Sequence, residues 1–426
     1  MGNVIQTLRE RGFIDRLTDP ELEKLGQQEQ LVVYCGVDPT ADSLHVGNLL
    51  PLLMLVHFQR AGHRPIALVG GATGLVGDPG GKKDERNLLS RDQVEENVNG
   101  IRRILERLFS FEGDNAAIVV NNIDWMGEVG FLDFIRDVGK HVRITEMLAR
   151  DSVKARLDSG AGMSYTEFSY QLLQAYDFFH LYREFQCQVQ VGGSDQWGNI
   201  TAGTDLIRRM DGGGVYGMVC PLLTTESGEK LGKSEGNTVW LTSDKTSPYQ
   251  LYQYFIRTED VDAVRLLKLL TFLSLDEISE LNESLEKNPE RREAQKRLAR
   301  EVTELIHGPE GAEAAEKASE VLFGGELSGL GSDVILEIFS DVPTFAIDTS
   351  RLEGAYSIVE ALTDSSLAES KGEARRLLDG GGVYLNNQRV ESSDTKIGRD
   401  SLLDGDLVVL RVGKKKYCLG KVATRG

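Results

Sequence analysis

Apolar runs and helix-length amphipathic stretches alternate along the first half of the chain, and their order predicts most of its elements. Residues 1–30, with IQTLRERGFI and DPELEKLG, read as amphipathic helices. LVVYCG (31–36) is a β-branched strand broken by Asp38 and Pro39. Ser43 is placed to cap a helix over LLPLLMLVHFQRAG (49–62), with Gly62 as its stop. PIALVGG (65–71) is a second strand running into ATGLVGDPGGKKDER, and Ser90 with Gln93 forms a capping box for a helix through Phe109. AAIVVNNIDW (116–125) is a third strand, and 130–157 is helical with a break between Lys140 and Arg143. Thr166 opens a helix of about four turns, FQCQVQVGGSDQWGN (185–199) contains a fourth strand, and VYGMVCPLL (215–223) is strand-like. This alternation predicts an α/β fold, a Rossmann-like doubly wound parallel sheet over residues 1–223.

The second half changes character. TTESGEKLGKSEGN is a polar loop within a connection at 224–246, and residues 247–323 read as an all-helical domain. Ser247/Gln250 and Ser274/Glu277 form capping boxes there, and Asn288-Pro289 starts a further helix. Arg292, Lys296 and Arg300 share one face, which reads as solvated or RNA-facing. Residues 324–350 have a linker composition, ambiguous after 333. Residues 351–426 read as a small α+β domain: a helix capped by Ser370 and Glu373, a strand and turn, then the hairpin DLVVLRVGKKKYCLGKV. Neither repeats nor a long low-complexity tract interrupt this order.

Charge refines the picture. The net charge of −18 argues against indiscriminate nucleic-acid binding. Residues 351–426 nevertheless carry 13 Lys+Arg against 11 Asp+Glu, so that domain can meet RNA locally, through Arg375, Arg376, Arg389 and Lys414, Lys415 and Lys416. No run reaches the roughly 18 apolar residues of a membrane span, and MGNVIQTLRERGF lacks a signal peptide's apolar core, so a cytoplasmic protein without membrane attachment is expected. Cys35, Cys187, Cys220 and Cys418 stand singly and predict neither structural zinc nor disulfides.

The candidate chemistry sits at strand ends. His45, Gly47 and Asn48 fall at a helix start just past a strand, where backbone amides and an imidazole suit a phosphate. KLGKS (230–234) offers Lys230, Lys233 and the hydroxyl of Ser234 on a later loop. The two together suit in-line attack on an α-phosphorus, with charge stabilised by positioning. Tyr170, Gln174 and Asp177 at i, i+4, i+7 share a helix face, and a strand ends in Gly193, Asp195 and Gln196. The glycine-rich segment with Lys82, Lys83 and Arg86 reads equally as an anion clamp or a solvated linker.

HVGN (45–48) and KLGKS resemble the HIGH and KMSKS signatures of class I aminoacyl-tRNA synthetases. With YCGVDPTADSLHVGN, GATGLVGDPGGK, YQLLQAYDF and VGGSDQWGN in order, nearly the whole chain resembles the bacterial tyrosyl-tRNA synthetases. The resemblance implies tyrosine activation by ATP with Mg²⁺, then transfer to tRNA-Tyr, by a homodimer. It matches Tyr34 and Asp177 to the pair that binds the substrate phenol, and Tyr170, Gln174 and Gln196 to its ammonium and carboxylate end. Gly36, Asp38, Gly47, Asn48, Gly193 and Asp195 match the ATP and adenylate pocket. Thr40 and His45 match γ-phosphate contacts, while Lys82, Arg86, Lys230 and Lys233 match mobile cations closing on pyrophosphate. It assigns the helical domain to the anticodon and the last domain to RNA binding. The departures are Leu231-Gly232 inside KLGKS and Asn48 in place of a second histidine. Three rivals remain: the tryptophan enzyme of the same fold, a shorter nucleotidyl transferase with an H-x-G-H motif, and a non-catalytic RNA-binding protein on a synthetase fold.

Overall fold

Six strands form the first sheet: β1 (Arg16–Leu17), β2 (Val32–Val37), β3 (Arg64–Val69), β4 (Ile118–Asn121), β5 (Val189–Gly193) and β6 (Tyr216–Cys220). They stand in the order β1-β6-β5-β2-β3-β4, all parallel except β1, which runs antiparallel to β6. The chain winds outward from β2 through β3 to β4, then returns to β5 on the other side of β2. That reversal leaves a crevice beyond the carboxyl ends of β2 and β5, the ligand position of doubly wound sheets. A computed structural model supplies this structure and describes residues 3–79, 89–158, 160, 162–234, 237–321, 325–327, 329–340, 342–353, 356–413 and 416–423, with backbone only at 151, 152, 155, 233, 234 and 237.

The chain divides into two compact units, Met1–Ser247 with Phe255–Ile306, and Pro248–Tyr254 with His307–Gly426. In the first, the helices α1 (Val4–Arg11), α2 (Leu49–Arg60), α3 (Arg91–Leu108), α4 (Tyr165–Phe185) and α5 (Trp197–Asp211) accompany the sheet. Nearly every side chain of α2 is buried, from Leu49 to Gln59, as expected of a helix apolar on all sides. Its entry differs from the expected Ser43 cap. A 3₁₀ turn, Val46–Asn48, precedes α2, and Asn48 Oδ1 accepts the backbone N–H of His45 at 3.1 Å. α4 is longer than expected: Ser164, not Thr166, caps it, and it runs 21 residues to Phe185, where Gln186 turns left-handed. The apolar face continues beyond Asp177, so nothing stops the helix earlier. Across 130–157 the expected helix is broken into short pieces, including a π-turn at Phe134–Val138.

The helices α6 (Asp260–Leu270) and α7 (Leu275–Lys287), expected in a separate helical domain, belong to the same unit as the sheet. The buried guanidinium of Arg11 donates to the carbonyls of Lys268, Thr271 and Leu273, satisfying the carboxyl end of α6. Arg60, at the end of α2, stacks 3.7 Å from the Phe272 ring centroid. Arg292 leaves the expected basic stripe: it is left-handed, with φ 52°, and its guanidinium donates to the carbonyls of Ile256 and Thr258.

The second unit holds a five-stranded sheet in the order β9-β8-β10-β11-β7, with β7 (Thr344–Ile347), β8 (Val383–Leu385), β9 (Gln388–Arg389), β10 (Leu407–Val412) and β11 (Lys416–Val422). One face packs Val383, Val408 and Leu410 against α9 (Ile358–Asp364) and α10 (Lys371–Asp379). The other packs Leu407, Val409 and Leu419 against Ile335 and Ile338 of α8 (Ser332–Ile338) and against Val321. The stretch expected as a linker therefore supplies a core helix and a strand. β7 pairs in parallel with β11, some 75 residues on, a partner too distant for local patterning to reveal.

Candidate active site

A cavity of about 480 Å³ lies beyond the carboxyl ends of β2 and β5. β2 and the turn after it contribute Tyr34, Gly36, Asp38, Thr40, His45, Gly47 and Asn48. Tyr170, Gln174 and Asp177 reach it from α4, Gly193, Asp195 and Gln196 from the end of β5, and Lys230 from the later loop. The helix face and the strand ends read from sequence thus meet in one place. Lys82, Arg86, Lys414 and Lys415 lie outside the described residues, and Lys233 and Ser234 are described by backbone alone.

The floor is built on charge without solvent. Asp177 is buried, Oδ1 accepting the indole N–H of Trp125 at 2.9 Å and Oδ2 accepting Nδ2 of Asn122 at 3.0 Å. Burial raises its carboxyl to about 7; the two donors oppose this, and the charge of Asp38 adds to it. Tyr34, equally buried, packs 5.2 Å from Phe178 between ring centroids, and its hydroxyl has no hydrogen-bond partner among the described residues. Burial, then the neighbouring charge of Asp177, pushes that phenol well above its ordinary value. A buried hydroxyl without a partner is uncommon enough to point to a missing ligand.

A hydrogen-bonded chain joins this floor to the nucleotide side. Asn122 Nδ2 also donates to Thr73 Oγ1 at 3.1 Å, Thr73 donates to Asp38 Oδ1 at 2.7 Å, and the Tyr170 hydroxyl donates to Asp38 Oδ2 at 2.8 Å. Gly70 is required there, because a Cβ would fall 2.2 Å from Thr73 Oγ1 and 2.3 Å from Asp38 Oδ1. On the opposite side Asn199 Nδ2 donates to Gln174 Oε1 and to Gln196 Oε1, each at 3.0 Å, while Gln196 Nε2 donates to Asp78 Oδ2 at 2.8 Å.

Sequence reasoning missed Thr73, Asp78, Asn122, Trp125 and Asn199, and also Gln190, whose buried Oε1 lacks a partner among the described residues at the cavity wall. Asp78 stood in the glycine-rich segment, where the cations drew attention instead. Asn122 and Trp125 sat in the third strand's run, with nothing local to mark them.

The two signature segments touch through glycine. Gly232 has φ 81°, and a Cβ there would stand 3.2 Å from Val46 Cβ and 3.4 Å from the Gly47 nitrogen. The departure from serine at this position therefore matches a left-handed backbone pressed against the His45 turn.

Of the proposed RNA-facing residues, Arg375 and Arg376 are exposed on α10, and Arg389 lies against Gly381 in the turn that follows it. Lys416 is exposed three strands away, at the start of β11.

Residues 26–324 match the family model of tRNA synthetases class I (W and Y), and residues 334–420 match that of the tyrosine-tRNA ligase SYY-like C-terminal domain. A tyrosine-tRNA ligase of Rhodopirellula baltica is 50% identical over 426 residues, covering 99% of this chain and 97% of that relative. One of Staphylococcus carnosus is 48% identical over 422 residues, covering 99% of each. Among solved structures, a C-terminally truncated mitochondrial tyrosyl-tRNA synthetase of Aspergillus nidulans superposes with TM-score 0.70 at 35% identity, covering 76% of this chain and 95% of that one. A tryptophanyl-tRNA synthetase of Encephalitozoon cuniculi shares the fold at TM-score 0.55 and 12% identity, covering 74% of this chain and 89% of that one.

Proposed function

The chain belongs to the tyrosine-tRNA ligases, class I aminoacyl-tRNA synthetases, and we propose that the residues gathered at its cavity divide the two steps of that reaction among themselves. The substrate carboxylate attacks the α-phosphorus of ATP, a P–O bond forms, and pyrophosphate leaves. The terminal ribose hydroxyl of tRNA-Tyr then attacks the tyrosyl carbonyl and releases AMP. No protein nucleophile is needed, so catalysis rests on placement and on charge.

Tyr34 and Asp177 read the substrate phenol. The observation that carries this assignment is the Tyr34 hydroxyl, buried without a partner among the described residues and beside a buried carboxylate. Phenylalanine would leave both polar groups unmatched, at about 1–3 kcal/mol for each. Tyr170, Gln174 and Gln196, the last two bridged by Asn199, hold the ammonium and carboxylate end, while Gly36, Asp38, Gly193 and Asp195 take the nucleoside. Thr40, His45, Gly47 and Asn48 stand where the phosphates pass, Asn48 already engaged in shaping the turn, and Lys230, Lys233 and Ser234, with Lys82 and Arg86, complete the charge on pyrophosphate.

ATP is taken as its Mg²⁺ complex, and the reading as a cytoplasmic enzyme rests on where ATP and tRNA are found. Arg375, Arg376, Arg389 and the Lys414–Lys416 turn meet tRNA backbone. A homodimer accounts for the apolar side chains exposed between Phe131 and Tyr165, where most large exposed apolar residues among those described are concentrated. ATP–pyrophosphate exchange with single amino acids tests the reading. Tyrosine drives it; strong exchange with tryptophan and none with tyrosine overturns the assignment.

A further inference from the structure

The segment after the KLGKS loop, residues 239–245, is stitched to the turn that carries His45. Val46 N–H donates to Val239 O at 3.0 Å and Leu241 N–H donates to Leu44 O at 2.8 Å, a short antiparallel ladder with His45 opposite Trp240. Side chains add to it. The Thr242 hydroxyl donates to Ser43 Oγ at 3.0 Å, Lys245 Nζ lies 2.9 Å from Asp42 Oδ1, and the Trp240 ring meets the His45 ring edgewise at 6.4 Å. Ser43, expected as a helix cap, is buried and serves this junction instead.

The same segment anchors the loop. Val239 N–H donates to Gly232 O at 3.0 Å, while the loop's other tie runs outside the segment, from Leu231 N–H to Leu223 O at 2.9 Å. Gly232 in turn stands against Val46 and Gly47. Leu241 is buried, whereas Thr242 is half-buried and Ser243 and Asp244 are exposed beside a separate cavity of about 340 Å³, lined by Asp42, Arg103, Arg107, Thr242 and Asp244 among others. Beyond Leu241, residues 242–245 are held by their discrete contacts, so loss of one is not made up by neighbouring packed atoms.

We propose that residues 239–245 are a positioning strap: Thr242 and Lys245 grip Ser43 and Asp42 so that the His45 turn stays seated against the base of the KLGKS loop, at Gly232, and so sets where the loop's cations close on the phosphates of ATP. None of the strap's side chains touches substrate; they act through His45. The inference rests on the phosphate role proposed for His45. It predicts a defect confined to the chemical step, because Tyr34 and Asp177 lie at the other end of the cavity.

The test is ATP–pyrophosphate exchange on full-length Thr242→Val, Lys245→Met, Ser43→Ala and the Ser43→Ala/Thr242→Val double variant, with tyrosine affinity by equilibrium binding and folding by thermal melting. Thr242→Val and Lys245→Met should each lower kcat about tenfold, the scale of a small misplacement, with tyrosine affinity unchanged. The double variant should fall clearly short of the product of the single losses, because the two side chains share one contact, although Ser43 Oγ also donates to Leu44 O at 3.1 Å and Thr242 also bonds Asp244. Unchanged kcat, multiplicative losses in the double variant, or an equal weakening of tyrosine binding each overturn the strap. His45→Ala run alongside separates the two readings. If it keeps full kcat, the phosphate role fails and takes the strap with it; if it loses kcat while strap variants do not, the strap alone fails.

Discussion

The Tyr170 hydroxyl donates to Asp38 Oδ2 at 2.8 Å, so a residue assigned to the amino acid and one assigned to the nucleotide form a single unit. Asp38 also accepts from Thr73, which leaves its carboxylate oriented by two hydroxyls. In Tyr170→Phe one of these donors disappears from a buried position, and Asp38 keeps Thr73 but loses the hydroxyl that orients its Oδ2. Both substrates should then suffer, with kcat/KM for tyrosine and for ATP each falling about tenfold, as for a lost hydrogen bond to a charged group. Steady-state exchange kinetics with each substrate varied in turn would show this. A change confined to tyrosine means that Asp38 does not transmit it.

The phenol-reading role proposed for Asp177 makes tyrosine recognition pH-dependent. Its carboxyl, raised from 3.8 to about 7 chiefly by burial, is partly protonated at neutral pH and accepts a phenol proton best when ionised. Tyrosine affinity should rise with pH up to about 7 and level off above it. Stability moves the other way: a folded-state pKa above the unfolded value means that Asp177 withdraws stability as pH rises from about 4 to about 7. Asp177→Asn should flatten both profiles. Trp125→Phe removes a donor that favours the ionised form, so the midpoint of tyrosine binding should move to higher pH. A midpoint left in place would show that the indole N–H does not tune the carboxyl.

How much of this was legible in the sequence follows from where each partner lies. β2, α2 and α4 announced themselves because long apolar runs and shared helix faces are local patterns. His45, Gly47, Asn48 and the Tyr170 face reached the cavity because their geometry is set locally. Asn122 and Trp125 were invisible, since only the crossing from the end of β4 to α4 brings them to Asp177. β7 and α8 were read as linker because each is short and its packing partner is distant. Asn48 looked like a substrate contact from its motif, while the structure gives it a backbone N–H three residues earlier.

The exposed side chains of Phe131 and Leu132 test the proposed dimer. They are 67% and 78% exposed, unusual for aromatic and aliphatic residues in a chain this acidic. Wild-type protein should sediment as a dimer at micromolar concentration, and Phe131→Asp with Leu132→Asp should shift it toward monomer without changing its melting transition at high dilution. A wild-type protein that sediments only as a monomer refutes the dimer.

The RNA-binding role proposed for the C-terminal domain would separate activation from charging, and the structure says where to cut to test it. Ending the chain at Ser350, near the boundary the sequence suggested, keeps β7 but removes β11, its parallel partner, and strips the cover from Ile347 and from Ile335 and Ile338 of α8. An unpaired strand beside exposed apolar side chains is prone to association. Ending it at Val321 removes α8 and the whole sheet together, close to the end of the family match at 324, and leaves no unpaired strand, though it uncovers Tyr249, Ala318 and Val321. The shorter protein should therefore be the better behaved of the two, with tyrosyl-adenylate formation retained and tRNA charging reduced at least about tenfold by loss of the Arg375 and Arg376 contacts. Parallel exchange, charging and light-scattering measurements decide it: charging that survives the Val321 truncation removes the RNA-binding role from the domain, and adenylate formation that fails in a folded Val321 product makes the domain part of the catalytic architecture.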